Sequence, residues 1–344
     1  MDKLNTPNYK QKKVDDSTPF FTRLRYKYFN SYFAGKVVWS LFRFLLLVGI
    51  SYVILQPYIS KISSSFMSRE DFVDVGVKLI PKNPTLDTYK AIIKENEYFK
   101  ALVNTTFLSV MVAVIQTLIC SIVGYGFTKF KFKGRSILFA CVIMTMVIPH
   151  KTLRSSMYYL FRYFDFWGIY GKLAKAFEWS KDLTPCLANL TNTYWPFVIL
   201  SITGLAFKNG LYIFIFRQFY KGVPDELEEA AYVDGAGTMR TFWKIIIPMS
   251  VPMMVTIFIF TFSWQWTDTF YTASPFFTAS AEPLLTNIVN KIPPSLKIEY
   301  AASSLWESAI TNTSGLLVIL PLFIIFLFAQ RSFVEGIERS GIVG

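Results

Sequence analysis

Charged residues are scarce in this sequence, and long stretches contain none. Asp, Glu, Lys and Arg make up 17% of the 344 residues, whereas 53% are hydrophobic and Phe alone occurs 34 times. A soluble domain carries about a quarter charged residues. The charge-free stretches lie between residues 100 and 129, 182 and 208, 244 and 268, and 307 and 331. Each supplies the roughly 20 apolar residues of a spanning helix, which excludes a cytoplasmic enzyme, a secreted disulfide scaffold and a disordered chain.

Histidine and cysteine are also rare, and their positions argue against a metal centre. His150 is the only histidine, so this chain cannot build a histidine-based zinc or catalytic cluster by itself. The three cysteines have no C-x-x-C spacing and predict neither a disulfide framework nor a metal site. No G-x-x-x-x-G-K-[ST] phosphate loop is present. No signal-peptide pattern opens the sequence, so we expect the N-terminus to be retained.

The net charge of +12 indicates the orientation in the membrane. In a soluble protein it would favour nucleic acid or an anionic surface. In a membrane protein it marks cytoplasmic loops rich in Lys and Arg, and we expect no nucleic-acid partner. Lys129, Lys131, Lys133 and Arg135 follow one another with no acid among them. This short cluster predicts that the turn between the second and third spans is cytoplasmic.

The sequence therefore predicts an all-α membrane protein with six transmembrane helices. The expected spans cover about residues 37–59, 101–128, 136–154, 194–216, 245–267 and 305–329. With six crossings, both termini lie on the cytoplasmic side. Residues 37–344 form the transmembrane domain, and residues 1–36 form a basic arm with interleaved aromatic residues. This arm is either an amphipathic helix on the membrane surface or a disordered segment.

The most informative segment is the predicted cytoplasmic loop at 217–244. Pro224 suits a first helical turn, and four acids follow it where the helix dipole favours them. Ala230 and Ala231 leave a smooth face for close packing. Gly235 and Gly237 end the helix and permit positive φ, and a second helix is expected afterwards. The loop thus predicts a short helix–turn–helix outside the membrane.

The spacing in this loop resembles the EAA motif of ABC-importer permeases. Glu229-Ala230-Ala231 is followed by three residues and Gly235, then by nine residues and Ile245. Ile247-Pro248 stands where the family has Leu-Pro. The resemblance runs from about residue 38 to 344 and points to the carbohydrate-uptake, maltose-transporter-type branch. Other segments carry it as well: Asn83-Pro84-Thr85-Leu86, Phe132-Lys133-Gly134-Arg135, Met146-Val147-Ile148-Pro149, Arg217-Gln218-Phe219 and Gln330-Arg331.

This resemblance implies a type I ABC importer permease fold and a transport subunit that is not an enzyme. It implies a second homologous permease subunit, two ATP-binding cassette subunits that hydrolyse ATP with Mg, and an extracytoplasmic binding protein that delivers a carbohydrate. The carbohydrate is expected to be an oligosaccharide. No cofactor is expected on this chain, and its expected location is the lipid of a bacterial plasma membrane. The ATPase-coupling residues would be Glu226, Glu229, Ala230, Ala231, Asp234, Gly235 and Ala236.

A substrate path is expected where polar or aromatic groups lie in or near spans, because such groups face a bundle interior or a cavity. The candidates are Asn209, Trp264, Gln265, Trp266 and Asp268. The two tryptophans could equally belong to an interfacial aromatic belt. Lys208 could line the path or pair with an acid.

Three alternatives stay open at this point. The chain could be an ABC permease for a non-sugar solute such as an amino acid or a polyamine. It could be an ion-coupled secondary transporter, which would need intramembrane acids, although the predicted spans carry almost none. Thirdly, the chain could be a structural membrane anchor, which would have no ATPase partner.

Overall fold

The structure is a computed structural model that describes residues 31–74, 76–165, 189–272, 276, 283–297 and 303–341. The chain divides into two units, residues 1–63 and 64–344. In the first unit, helix α1 covers Ser31–Ser64 and reaches one residue past the boundary. It contains the span predicted at 37–59. The arm predicted at 1–36 lies outside the described residues up to residue 30.

The described part of the second unit consists of helices and the loops that join them. The helices are α2 (Asp87–Glu95), α3 (Tyr98–Lys129), α4 (Arg135–Val147), α5 (Arg154–Arg162), α6 (Trp195–Ile202), α7 (Asn209–Lys221), α8 (Glu226–Val233), α9 (Thr238–Thr241), α10 (Ile247–Trp266), α11 (Leu285–Ile288) and α12 (Ser303–Gly341). Short 3₁₀ turns cover His150–Leu153 and Pro294–Leu296. A π turn at Phe242–Ile246 joins α9 to α10.

Among the described residues, four helices are long and apolar enough to cross a membrane. They are Gly35–Ser64, Tyr98–Lys129, Thr238–Trp266 and Ser304–Gln330. Four of the predicted spans therefore correspond to apolar helices of sufficient length. The helix predicted to start at 245 begins earlier, at Thr238. The sequence boundary followed the last charge, Lys244, whereas the π turn carries the helix past that charge without a break.

The third predicted span, 136–154, is wrong as a continuous helix. The helical segments Arg135–Val147 and His150–Arg162 are bent by 92° relative to each other. Pro149 causes the break, because a proline ring disfavours helical backbone at the preceding residue. Ile148 accordingly has an extended conformation, with φ −71° and ψ 120°. Helix α4 alone has 13 residues, about 20 Å of length, which is shorter than the hydrocarbon core of about 30 Å.

The fourth predicted span, 194–216, is also divided. Its residues fall into α6 and α7, which are separated by a non-helical segment at residues 203–208. Gly204 (φ +73°) and Lys208 (φ +69°) take left-handed backbone conformations there, which a continuing helix does not accommodate. Six continuous spanning helices are therefore not present in the described residues, which hold four spans, or five if the bent pair counts as one.

Helix α3 lies at the centre of the second unit and packs against α7, α10 and α6. Gly124 allows the close approach of α3 to α7, since a Cβ at that position would lie 2.6 Å from the Cβ of Phe216. At the other end of the unit, the Trp266 indole nitrogen donates a 2.9 Å hydrogen bond to the Val318 carbonyl and joins α10 to α12. These contacts fix the helices that carry the two candidate sites described next.

Candidate functional site

Helix α8 has one face turned into the protein and one face exposed. Glu228 and Ala231, one helical turn apart, are buried at 6% and 4% exposure. Glu226, Glu229 and Ala230 are exposed. A short polar helix with this division can be held by its own chain on one side and present the other side to a partner.

The buried face of α8 is attached to the last turn of α3 by charge. The Lys129 ammonium lies 3.1 Å from Glu228 Oε1, and only 10% and 8% of these two side chains are exposed. It also donates to Asp225 Oδ1 at 2.6 Å and to the Val223 carbonyl at 3.0 Å. Tyr125 Oη donates to Glu228 Oε2 at 3.0 Å. The Lys129 hydrogen bond holds the pKa of the Asp225 carboxyl below its usual value.

The turn after α8 requires glycine at one position. Gly235 has φ +78°, a conformation that other residues adopt at a cost. The Ala236 N–H donates to the Ala231 carbonyl at 2.9 Å and closes the turn. Gly237 has φ −76°, so the expectation of positive φ is met at Gly235 and is wrong at Gly237. A second helix follows at Thr238, as the sequence predicted.

The seven predicted coupling residues do not all lie on one surface. Glu226, Glu229, Ala230, Asp234 and Gly235 are exposed, Ala236 is half-buried and Ala231 is buried. The small exposed residue of the helix is therefore Ala230, while Ala231 packs within the chain. The sequence analysis did not single out Val233 and Met239, which are 87% and 73% exposed. Apolar side chains in a polar loop are the signal that could have identified them.

A small polar cavity lies between α3, α6, α7 and α10. It measures about 30 Å³, and Gln116, Thr261, Gln265 and Asp268 are among its lining residues. Gln116 Oε1 and Gln265 Nε2 are buried and make no hydrogen bond to the described residues. A buried polar atom of this kind is normally satisfied by water or a ligand. The volume suits water and is too small for a sugar ring.

The predicted path residues separate into three groups. Trp264, Gln265 and Asp268 line the cavity. Asn209 is buried at 1% exposure outside the cavity lining, and its amide makes no hydrogen bond to the described residues. Trp266 lies on the opposite face of α10, packed at 1% exposure in the core formed with α12. The Asp268 carboxylate accepts hydrogen bonds from the backbone N–H groups of residues 270, 271 and 272 and orders the loop that follows α10.

Lys208 meets aromatic rings at the break between α6 and α7. Its ammonium lies 4.9 Å from the ring centroid of Phe207 and 4.9 Å from that of Trp264. The His150 ring packs edge-on against Phe207 at 4.8 Å. Within the part of the chain that the structure describes, Lys208 makes no ion pair, so the pairing with an acid considered from sequence is not found there. The sequence analysis missed this grouping because His150 and Lys208 belong to different helix breaks.

Metal binding has no support in the ranges that the structure describes. No group of three or more His, Cys, Asp or Glu side chains there is arranged to hold a metal ion.

Comparison with known proteins places this architecture in a family. Residues 116–339 match the model of the "Binding-protein-dependent transport system inner membrane component". A galactooligosaccharide transport system permease protein of Bacillus subtilis is 24% identical over 310 residues, covering 88% of this chain and 95% of that protein. A maltodextrin transport system permease protein of Streptococcus pneumoniae is 25% identical over 305 residues, covering 87% of this chain and 93% of that protein.

The fold has a counterpart among solved structures. It matches a chain of a bacterial ABC transporter involved in the import of the acidic polysaccharide alginate, with a TM-score of 0.63 at 18% identity. The match covers 92% of this chain and 100% of that one. Because the family model spans more than half of the sequence, this chain belongs to the family of binding-protein-dependent transport system inner membrane components.

Proposed function

We propose that this chain is a membrane-spanning permease subunit of an ATP-driven ABC importer. It forms half of the path for an oligosaccharide that an extracytoplasmic binding protein delivers, and it couples to a separate ATPase through α8. The observation that carries the proposal is the arrangement of α8, whose buried Glu228 binds Lys129 and Tyr125 of α3 while Glu229 and Ala230 face outward. A docked ATPase can thus move a helix that is fixed to the transmembrane bundle.

The energy source must lie on another subunit, since the sequence contains no phosphate loop. ATP and Mg would be bound by two ATP-binding cassette partners, and a second homologous permease would complete the path. The surface around Ala230 supports such docking. A methyl side chain lets a partner approach the helix closely, and the exposed Val233 and Met239 beside it provide apolar contact.

The topology follows from the charge pattern together with the broken helices. We propose that α4 with the segment after it, and α6 with α7, each complete one crossing, which brings the total to six. Non-helical backbone inside a membrane is tolerated where it is covered by protein or lines a cavity, and both breaks border a cavity. Lys129 and the basic turn after it then lie in the cytoplasm of a bacterium, together with α8 and both termini.

A carbohydrate substrate is supported by the relatives. Their names include galactooligosaccharide, maltodextrin and polygalacturonan or rhamnogalacturonan transport permeases. The exposed indole of Trp264 beside polar groups is suited to a sugar ring, which offers an apolar face and hydroxyl groups. The same relatives include importers of neutral and of acidic sugars, so the names leave the charge of the substrate open.

The proposal is tested by reconstitution. The chain is co-expressed with its partner permease, ATPase and binding protein, purified by a tag on this chain and placed in proteoliposomes. We expect the ATPase to co-purify, and binding protein loaded with an oligosaccharide to stimulate both ATP hydrolysis and uptake. Purification of this chain without an ATPase would contradict the proposal, as would uptake driven by an ion gradient without ATP.

A further inference from the structure

In the topology proposed above, Lys208 and His150 lie at membrane depth, at the two places where the proposed crossings are broken. Helix α7 has 13 residues, so Asn209, the neighbour of Lys208, lies about 20 Å along the axis from the cytoplasmic end of the helix. Helix α4 has the same length and ends just before His150. With a hydrocarbon core of about 30 Å, both side chains lie inside it and well away from the cytoplasmic surface.

A lysine at this depth is costly unless something compensates its charge. In the described residues, the ion pairs involve Lys82, Lys90, Lys100 and Lys129. Among the residues that the structure describes, the contacts of the Lys208 ammonium are with the faces of Phe207 and Trp264, and cation–π contacts contribute about 0.5–2 kcal/mol each. The Asp268 carboxylate, on the loop that follows α10, accepts hydrogen bonds from three backbone N–H groups.

The space in front of Lys208 is built for a polar ligand. A cavity of about 230 Å³ is lined by His150, Lys208 and the backbone of the α6–α7 break, which is room for one monosaccharide ring. His150 Nδ1 is buried and makes no hydrogen bond to the described residues. The Trp264 indole, 49% exposed, adjoins the same lysine. A cation and an imidazole thus line this cavity, and the Trp264 ring, which lines the smaller cavity, contacts the same cation.

We infer that the oligosaccharide transported by this protein is acidic, and that Lys208 binds the carboxylate of a uronic acid residue as it passes the break between α6 and α7. This inference rests on the proposed function and narrows its substrate class. The ammonium supplies the charge partner, His150 supplies a hydrogen bond to the sugar, and Trp264 stacks against the ring. A neutral sugar would leave the half-buried Lys208 ammonium without a charge partner and would lose a charge-assisted hydrogen bond, which corresponds to roughly tenfold or more in rate.

The test compares matched sugars in proteoliposomes that contain the complete transporter and its binding protein. Radiolabelled trimers of galacturonate, mannuronate and glucuronate are each paired with their carboxyl-reduced form, in which a hydroxymethyl group replaces the carboxylate. We expect at least one acidic trimer to be taken up roughly tenfold faster than its reduced form. Lys208→Gln should abolish that preference, whereas Lys208→Arg should retain it. Lys221→Gln, at the exposed cytoplasmic end of the same helix, is the matched control and should behave as wild type.

Several results would overturn the inference. Uptake of neutral trimers without a preference for acidic ones would do so and leave the proposed function intact. Unchanged acidic uptake by Lys208→Gln would remove the lysine from the path. Loss of the second permease on purification of Lys208→Gln would show that the lysine pairs with an acid of that subunit. Failure to take up any oligosaccharide would count against the proposed function itself.

Discussion

The ammonium of Lys129 and the carboxylate of Glu228 lie 3.1 Å apart, and both side chains are almost fully buried. The first belongs to the last residue of α3 and the second to the first turn of α8, so a charged contact ties α8 to the central helix of the unit. Because α3 packs against α7 and α10, a displacement of α8 is transmitted to the helices that line both cavities. A buried ion pair is costly to break from one side, which makes the connection stiff.

Removing one partner of this pair should uncouple ATP hydrolysis from sugar uptake. Glu228→Ala leaves Lys129 buried with only the exposed Asp225, and we expect a loss of about 3 kcal/mol in unfolding free energy. The transporter should still assemble and hydrolyse ATP, but the hydrolysis should no longer drive uptake. Thermal unfolding in detergent and the ratio of sugar transported to ATP hydrolysed are the measurements.

The control for this prediction is Asp225→Asn. The Asp225 side chain is 79% exposed, so its contact with Lys129 is screened by solvent and should contribute much less than the buried pair. Equal effects of the two substitutions would contradict the importance assigned to the buried pair.

Gly235 and Gly237 offer a matched test of backbone conformation. Gly235 has φ +78° and nothing lies within 4 Å of a Cβ built on it, so any effect of a side chain there comes from strain and not from a clash. Gly235→Val should cost about 1–2 kcal/mol and misplace the start of α9. Gly235→Asn should cost less, because Asn tolerates this region. Gly237→Val, at φ −76°, should keep wild-type ATPase binding. If Gly237→Val lost as much ATPase binding as Gly235→Val, the cause would be the size of the added side chain and not backbone strain.

Trp264 and Trp266 should respond differently to substitution although they are two residues apart. Trp266→Ala empties a core position and removes the hydrogen bond to Val318, so we expect about 3–5 kcal/mol of destabilisation. Trp264→Ala should leave thermal stability nearly unchanged and reduce uptake by the equivalent of about 1–3 kcal/mol, by analogy with bases stacked on aromatic side chains. Wild-type uptake by Trp264→Ala would indicate that Trp264 belongs to the interfacial aromatic belt and not to the substrate path.

Accessibility to a membrane-impermeant thiol reagent checks the orientation. Met239→Cys, at a position 73% exposed beside α8, should react in inverted vesicles and not in intact cells. Ile80→Cys, at a position 81% exposed before α2, should show the opposite pattern. The unsubstituted chain gives the background from its own cysteines. Labelling of Met239→Cys in intact cells would reverse the proposed topology.

The sequence was sufficient for the features that depend on composition and on local backbone chemistry. Three of the four charge-free stretches coincide with long apolar helices, whereas the described part of the stretch between residues 182 and 208 holds the short helix α6. Gly235 was correctly assigned positive φ. Pro149 is visible in the sequence as a residue that disfavours continuous helix, but the predicted span ran past it to residue 154, and the 92° bend was not predicted. The division of the fourth span had a weaker local signal, since Lys208 adopts positive φ without being a glycine.

The sequence alone did not predict which side chains of a helix point into the protein and which point outward. Ala230 and Ala231 are equivalent as residue types, yet one is exposed and the other is buried. Glu228 was one of five acids in the loop. The structure identifies it as the buried one through its contact with Lys129, which lies 99 residues earlier in the sequence. Similarly, the different environments of Trp264 and Trp266 can be assigned only when the face of α10 that packs against α12 is known.

The central claim is that the exposed face of α8 is where this permease engages its ATPase, and a single measurement addresses it. Binding-protein-stimulated ATP hydrolysis is recorded in proteoliposomes for Ala230→Trp and for Ser136→Trp, which places the same indole at another exposed position near the basic turn. We predict that Ala230→Trp inserts normally but loses ATPase co-purification and stimulated hydrolysis by roughly tenfold or more, while Ser136→Trp matches wild type. Normal co-purification and stimulated hydrolysis with Ala230→Trp would show that α8 is only a connector between two helices.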